Sequence, residues 1–301
     1  MPDALNHGYA YRSRIPESAR GTTALDFLTQ RYPRGSRSTW LARMGRGEVW
    51  IEDRLAGPDM PLVPGQRLTW NRPPWREPWV PMDVEVVHED AHLLVVCKPS
   101  GLPMAPAGGV FLTHTLLAWA RARDPAWSPL HRLGRGTSGL VVFGRGPALA
   151  PLSEAFRDRQ VDKRYRALAQ GAVPPEPFCV DAPIGPVAHP LLGRVHAASS
   201  AGKPAHSRVT ALGGSEPDAT RVEVHIATGR PHQIRIHLAV AGHPLVGDPL
   251  YAPGGHPRPD ALPGDLGYTL HAWRLRFAHP ITGAPLAFEA PLPPALQDPS
   301  R

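Results

Sequence analysis

The chain has 301 residues, 42% hydrophobic and 20% charged, an ordinary balance for a globular protein long enough to bury a sizeable core. Its two cysteines, Cys97 and Cys179, are too few for a disulfide framework or a thiolate metal cluster, and apolar runs such as Leu93–Cys97 are far too short to span a membrane. The net charge of +7, with a pI near 9.9, favours a polyanionic partner, since each phosphate neutralised releases condensed counterions.

Nearly all of this positive charge is arginine, the lysines being Lys98, Lys163 and Lys203. Residues 1–80 carry 12 arginines against 8 acids, so +4 of the +7 lies in the first quarter. An arginine-rich composition can raise the pI without any binding role, so the motifs must decide the partner. Arg12 and Arg14 are followed by no apolar segment; no secretory signal is in view, and the cytoplasm is the expected location.

Residues 1–20 show no periodicity and read as a loose tail. Residues 21–72 read as a small basic domain. Leu25, Leu28 and Tyr32 recur at helical spacing, Trp40, Leu41 and Met44 form a second apolar cluster, and Val49–Ile51 reads as a short strand before a turn at Pro64-Gly65. With Arg34, Arg37, Arg43 and Arg46 close by, this unit resembles the small RNA-binding fold of ribosomal proteins. A helical cap on the main domain is the competing reading. Residues 73–81, rich in proline and tryptophan, read as a stiff linker.

From 82 to 294 the chain is strand-rich. Strands are expected at Val84–Val87, Leu93–Cys97, Leu140–Phe143, Tyr165–Ala169, Ser207–Leu212, Val222–Ala227, Leu275–Phe277 and Leu286–Phe288. Helices are expected at Thr113–Arg123, Leu149–Arg159 and His232–Ala241. Strands outnumber helices and mostly follow one another, which predicts an α+β fold: a mixed, mainly antiparallel sheet with flanking helices. Residues 295–301 read as a tail.

Four segments carry the chemistry. The first is Cys97-Lys98-Pro99-Ser100-Gly101-Leu102-Pro103, a strand running into a Pro/Gly turn. The second is His131-Arg132-Leu133-Gly134-Arg135-Gly136-Thr137-Ser138-Gly139-Leu140, and the third is Lys163-Arg164-Tyr165-Arg166-Ala167-Leu168. The fourth runs from Thr228-Gly229-Arg230-Pro231-His232-Gln233-Ile234-Arg235-Ile236-His237 to Gly242-His243-Pro244-Leu245-Val246-Gly247-Asp248-Pro249-Leu250-Tyr251. The histidines show neither a His-Glu-x-x-His pattern nor a compact Cys/His set, so no metal site is expected.

In this order and spacing the segments resemble the RluA-type family of RNA pseudouridine synthases over residues 82–294. The resemblance implies isomerisation of uridines in structured RNA, ribosomal or transfer, with no cofactor and no metal. The glycosidic bond to the uracil nitrogen breaks, the base turns, and a carbon–carbon bond replaces it. A stacked uridine must first be flipped into a pocket. By the same resemblance Tyr165 is the tyrosine that packs on the flipped base, and Arg235 the arginine that pairs with the family's catalytic aspartate. Arg132, Arg230, His232 and Lys98 are candidate RNA contacts, joined by Arg34, Arg37 and Arg43 from the first domain. A monomer is the default expectation.

The departure lies in the second segment. The family reads His-Arg-Leu-Asp there, and this chain has Gly134. Glycine offers no nucleophile, no base and no charge to balance Arg235. One reading is an active synthase that uses another carboxylate. Asp162 is disfavoured because it would point away from the face of Tyr165, whereas Asp248 could lie near enough. Another is an inactive RNA-binding relative that keeps the pocket without the chemistry, and a third is a substitution at one codon, less convincing beside the second glycine, Gly136. A general RNA-binding or ribosome-assembly module belongs to a different class. It predicts salt-dependent binding without product, and the position of carboxylates around Arg235 discriminates between them.

Overall fold

The computed structural model describes residues 5–32, 35–216 and 218–297. The chain divides into two compact units, Met1–Glu77 and Pro78–Arg301.

In the first unit the elements run β1 (Tyr9–Arg14), α1 (Ala24–Arg31), α2 (Arg37–Gly45), β2 (Val49–Ile51), β3 (Arg54–Leu55) and β4 (Arg67–Arg72). Thr23 and Ser36 cap the two helices by accepting the backbone N–H groups of Asp26 and Thr39, as short hydroxyl side chains do at helix starts. Leu25, Leu28, Trp40, Met44, Val49, Ile51 and Leu68 close the core. The expectation of a loose tail over residues 1–20 is corrected here. β1 pairs antiparallel with β4 from Tyr9↔Arg72 to Arg14↔Arg67, Tyr11 stacks on Trp70, and Ile15 is buried. The strand escaped notice because Tyr9–Arg14 mixes tyrosines, arginines and a serine with no clean apolar alternation.

The second unit contains β5 (Glu85–Glu89), β6 (Leu93–Lys98), α3 (Leu116–Arg123), β7 (Ser128–Pro129), β8 (Ser138–Gly144), α4 (Leu149–Arg157), β9 (Asp162–Gln170) and β10 (Phe178–Val180). There follow β11 (Ile184–His189), β12 (Gly193–Ala198), β13 (Ser207–Glu216), β14 (Ala219–Ile226), α5 (Gln233–Val240), β15 (Leu270–Ala278) and β16 (Pro285–Glu289). The main sheet has the order β10-β13-β14-β9-β15-β8-β6-β5, with β7 on β8 and β16 on β15, while β11 and β12 form a separate hairpin. The pairings are antiparallel except that of β8 with β15. This is the expected α+β fold. Leu94, Val96, Val141, Phe143, Ala167 and Val224 bury one face beneath Trp127, Ile234 and Leu238. Leu93, Val95, Leu140, Val142, Leu275 and Phe277 bury the other against Leu152. Of the expected tail, Leu296 is buried and the Gln297 carbonyl accepts from Arg221; no helix among the described residues is long and apolar enough to cross a membrane.

Candidate active site

The parallel pair β8–β15 decides where the site forms. Its register sets His271 against Ser138 and Ala272 against Gly139, so the segments entering both strands lie side by side at one edge. Gly139 sits at φ +103°, and a Cβ there would stand 2.2 Å from the Ala272 carbonyl oxygen, so glycine alone permits so close a pairing. Counting back three residues from the register pair brings Tyr268 level with the Gly134–Thr137 turn, which is closed by Thr137 N–H donating to the Gly134 carbonyl.

That turn is braced from behind. Lys98 is fully buried, and its Nζ donates to the carbonyls of Pro99, Leu102 and Arg135 at 2.9, 2.8 and 3.1 Å. Ser100 Oγ donates to the Gly136 carbonyl, and Arg135 Nε to that of Gly101. The expectation that Lys98 contacts RNA is therefore corrected: an ammonium with no exposed surface and three carbonyl partners positions a loop. Burial pushes its pKa down to about 7.

A cavity of about 100 Å³ opens beside the turn, with Gly134, Thr137, Tyr165, His232, Arg235 and Tyr268 among its walls. A second cavity of about 420 Å³ shares Arg132, Tyr165 and Arg230 with the first and adds the exposed Arg157 and Arg159 and the buried Lys163, giving one groove with a basic rim. Tyr165 lies on the buried side of β9, among Lys163, Ala167 and Ala169. Burial pushes its phenol up to about 12, so the hydroxyl stays protonated. Asp162 falls on the opposite side of the strand, beside Arg164 and His225.

Arg235 is 2% exposed and is held by Asp248 through two hydrogen bonds of 2.7 Å, from Nε to Oδ2 and from Nη2 to Oδ1. Of the two carboxylates weighed against the glycine at 134, Asp248 therefore meets Arg235, whereas Asp162 lies with Arg164 and His225. Asp248 is itself fully engaged, since Oδ1 also accepts from the Leu250 and Tyr251 N–H groups. Burial works against the guanidinium's charge, but these bonds outweigh it and raise the pKa. The loop holding Asp248 turns at Gly247, φ +74°, where a Cβ would meet the Gly267 carbonyl oxygen at 2.2 Å. That close approach ties Asp248 to the residue just before Tyr268.

His232 enters α5 in the left-handed region at φ 56°. Its Nδ1 lies 2.8 Å from Tyr251 Oη, which gives its single proton to the His196 carbonyl. His232 must therefore donate from Nδ1, leaving Nε2 as an acceptor. Burial foremost, then the Arg235 charge, lowers its pKa to about 3, so the ring is neutral. Arg230 donates from Nε to the Pro204 carbonyl, and Arg132 is exposed at the mouth.

Of the first unit's candidates, the two among the described residues, Arg37 and Arg43, both lie on α2. Arg37 is paired with Asp26, Arg43 lies over the rings of Trp40 and Trp70 at 4.4 and 4.2 Å, and Arg34 falls outside the described residues.

Sequence reasoning missed Tyr268. Its hydroxyl stands 3.0 Å from where a Cβ on Gly134 would sit, and its ring carbon 2.9 Å from the corresponding point on Gly136. The Arg235 guanidinium covers the ring at 4.3 Å, and Thr137 Oγ1 lies 3.4 Å from the hydroxyl. The two glycines are what make room for this side chain.

Residues 92–240 match the sequence pattern of the RNA pseudouridylate synthase family. An uncharacterized RNA pseudouridine synthase of Synechocystis sp. is 46% identical over 280 residues, spanning 91% of this chain and 96% of the relative. The ribosomal large subunit pseudouridine synthase D of Neisseria meningitidis serogroup A is 35% identical over 93% of this chain and 78% of its own. Among solved structures, human RNA pseudouridylate synthase domain containing 1 superimposes with a TM-score of 0.55 at 25% identity, over 73% of this chain and 89% of that one.

Proposed function

Because this chain belongs to the RluA-type family of RNA pseudouridine synthases, enzymes that isomerise uridine to pseudouridine in RNA, we propose that its substrate is a uridine of structured ribosomal or transfer RNA and that the cavity between Tyr165 and the Gly134 turn receives the flipped base. The observation that carries this reading is the continuity of that cavity, walled by Tyr165 and Arg235, with a groove rimmed by Arg132, Arg157, Arg159 and Arg230. A nucleic-acid strand needs such a combination: cations along the backbone path, and a recess with an aromatic face for the extruded base. The ribosomal assignment draws on the name of the Neisseria relative.

In this reading Tyr165 packs on the uracil, its protonated hydroxyl adding no charge against the ring. Arg132 and Arg230 take phosphates near the displaced nucleotide, and the neutral His232 offers Nε2 as an acceptor at the cavity wall. Arg235 and Asp248, locked together, fix α5 against the loop that leads to β15 and so set the shape of the pocket. The first unit, with Arg37 and Arg43, contributes further RNA contact. The protein acts as a monomer in the cytoplasm, without cofactor or metal.

The test is incubation of the purified protein with total RNA lacking pseudouridine at candidate positions, followed by chemical mapping of the modified base. Product at defined uridines supports the reading. Salt-sensitive binding with no product at any position would leave an RNA-binding relative in its place.

A further inference from the structure

The synthase reading leaves the chemistry without its usual carboxylate, and the geometry around Gly134 points to what replaces it. Resting on that reading, we propose that the Tyr268 hydroxyl, seated over Gly134 and Gly136 with the Arg235 guanidinium on its ring, is the proton-transfer group of this enzyme.

The position is specific. An aspartate at 134 would send its side chain from a Cβ located 3.0 Å from Tyr268 Oη, so the hydroxyl stands beside the point from which that carboxylate would project. The phenol tip packs against both glycines: a Cβ at 136 would come within 2.9 Å of the ring, and one at 134 would crowd the hydroxyl at 3.0 Å. One bulky residue and two side-chain deletions thus form a single steric unit, although they are far apart in sequence. Tyr268 is 5% exposed, so water does not surround it, yet it forms part of the cavity wall.

The chemistry balances without any further reagent. Isomerisation breaks the N1–C1′ bond and forms C5–C1′, with net movement of one proton from C5 to N1. As the uracil departs with the electron pair of the glycosidic bond, the phenol gives its proton to N1 and becomes a phenolate. The Arg235 charge, 4.3 Å from the ring centre, stabilises that phenolate. Once C5 has bonded to C1′, the phenolate takes the proton released from C5 and the enzyme returns to its starting state. Arg235 lies over the ring and is itself held by both Asp248 oxygens, so the Asp248 carboxylate is engaged and does not compete as a base.

The experiment measures single-turnover pseudouridine formation and RNA affinity for the unaltered protein, Tyr268→Phe, and the double substitution Gly134→Asp with Tyr268→Phe. Tyr268→Phe removes one oxygen and keeps the ring against both glycines and Arg235, so folding is preserved and is checked by thermal unfolding. The expected result is a rate loss on the order of 100-fold or more, the usual worth of a proton-transfer group, with RNA affinity unchanged. Adding Gly134→Asp then restores product, because the carboxylate projects from beside the point the hydroxyl has vacated; a role in packing alone would not be rescued in this way. A Tyr268→Phe protein that retains its rate, or whose rate and RNA affinity fall together, overturns the assignment while leaving the synthase reading intact. Absence of product from the unaltered protein removes both.

Discussion

The guanidinium of Arg235 and the carboxylate of Asp248 form a bidentate pair with side chains 2% and 0% exposed. This explains how a glycine at 134 is tolerated on energetic grounds. A buried guanidinium without a counter-charge would be costly, but here the charge is met from a different loop, and the pocket keeps its charge balance with no carboxylate at 134. Removing one member of such a pair exposes what it neutralised. Asp248→Ala is expected to lower the unfolding free energy by about 3–5 kcal/mol, because it strips the buried Arg235 of its partner and frees the Leu250 and Tyr251 N–H groups. Urea unfolding of the variant beside the unaltered protein measures this, and a change under about 1 kcal/mol would mean that solvent reaches the pair.

Lys98 should report itself through pH. Its folded pKa, about 7, lies below the ordinary value of 10.5, so between these limits the unfolded chain binds more protons than the native one. Stability therefore rises as pH climbs from 7 toward 10, by up to about 1.4 kcal/mol per unit. Lys98→Met should remove that rise and, by stranding three carbonyls, lower stability at pH 9 by about 1–3 kcal/mol. Equal slopes in the two proteins would show that the ammonium stays charged throughout the window.

Acid acts through the histidines. Burial lowers His131 to about 3, His232 to about 3 and His271 to about 4, against an ordinary 6.5. His131 has a second reason to stay neutral, since its Nε2 accepts the Val142 N–H. Groups depressed in this way stabilise the fold in full above pH 6.5, and that stability is lost as pH falls toward their folded values. The protein should weaken steadily from pH 6.5 to 4.5, each histidine contributing at most about 1.4 kcal/mol per unit. His131→Gln, which keeps an acceptor, should flatten the slope by up to one histidine's share; an unchanged slope would place the acid sensitivity elsewhere.

These residues also show where the sequence was legible. The strands and helices expected between Leu93 and Phe288 form where the apolar periodicity placed them, because a buried sheet imposes alternation on its strands, whereas the short β7 and β10 were too brief to show a pattern. The hairpin of β11 and β12 broke that rule, its strands mixing glycine, proline and histidine, and went unnoticed. Tyr165, Arg235 and Arg132 could be placed at one pocket because their segments resemble a known family. Tyr268 could not, since it precedes a strand outside those segments and meets Thr137 across 131 positions. Only the parallel register of β8 and β15 brings it over Gly134, and a single sequence carries no trace of that register. Lys98 was misread for a related reason: the same Lys-Pro turn serves a surface contact or a buried brace, and burial decides between them.

The basic rim should separate binding from folding. Arg132 is exposed at the groove, and its substitution by alanine should leave stability within about 0.5 kcal/mol. RNA affinity should fall, and the slope of log affinity against log salt should shrink by about one, as for the loss of a single phosphate contact. A full salt slope in Arg132→Ala would remove this residue from the RNA path and shift attention to Arg157 and Arg159.

Tyr165 tests the pocket itself. It is 7% exposed on β9, paired with Val224 and Ala272 in the register, and lines the cavity. A uracil flipped into the recess would stack there, and base–aromatic stacking is worth about 1–3 kcal/mol. Tyr165→Phe keeps the face and should retain RNA affinity and most of the rate, because the hydroxyl, held protonated by burial, carries no charge in the pocket. Tyr165→Leu keeps an apolar filler without the aromatic face, and should weaken RNA affinity by about that stacking energy and reduce product formation further. If the leucine variant binds and modifies RNA as the phenylalanine variant does, the flipped base rests on a different wall, and Tyr165 serves the sheet core alone.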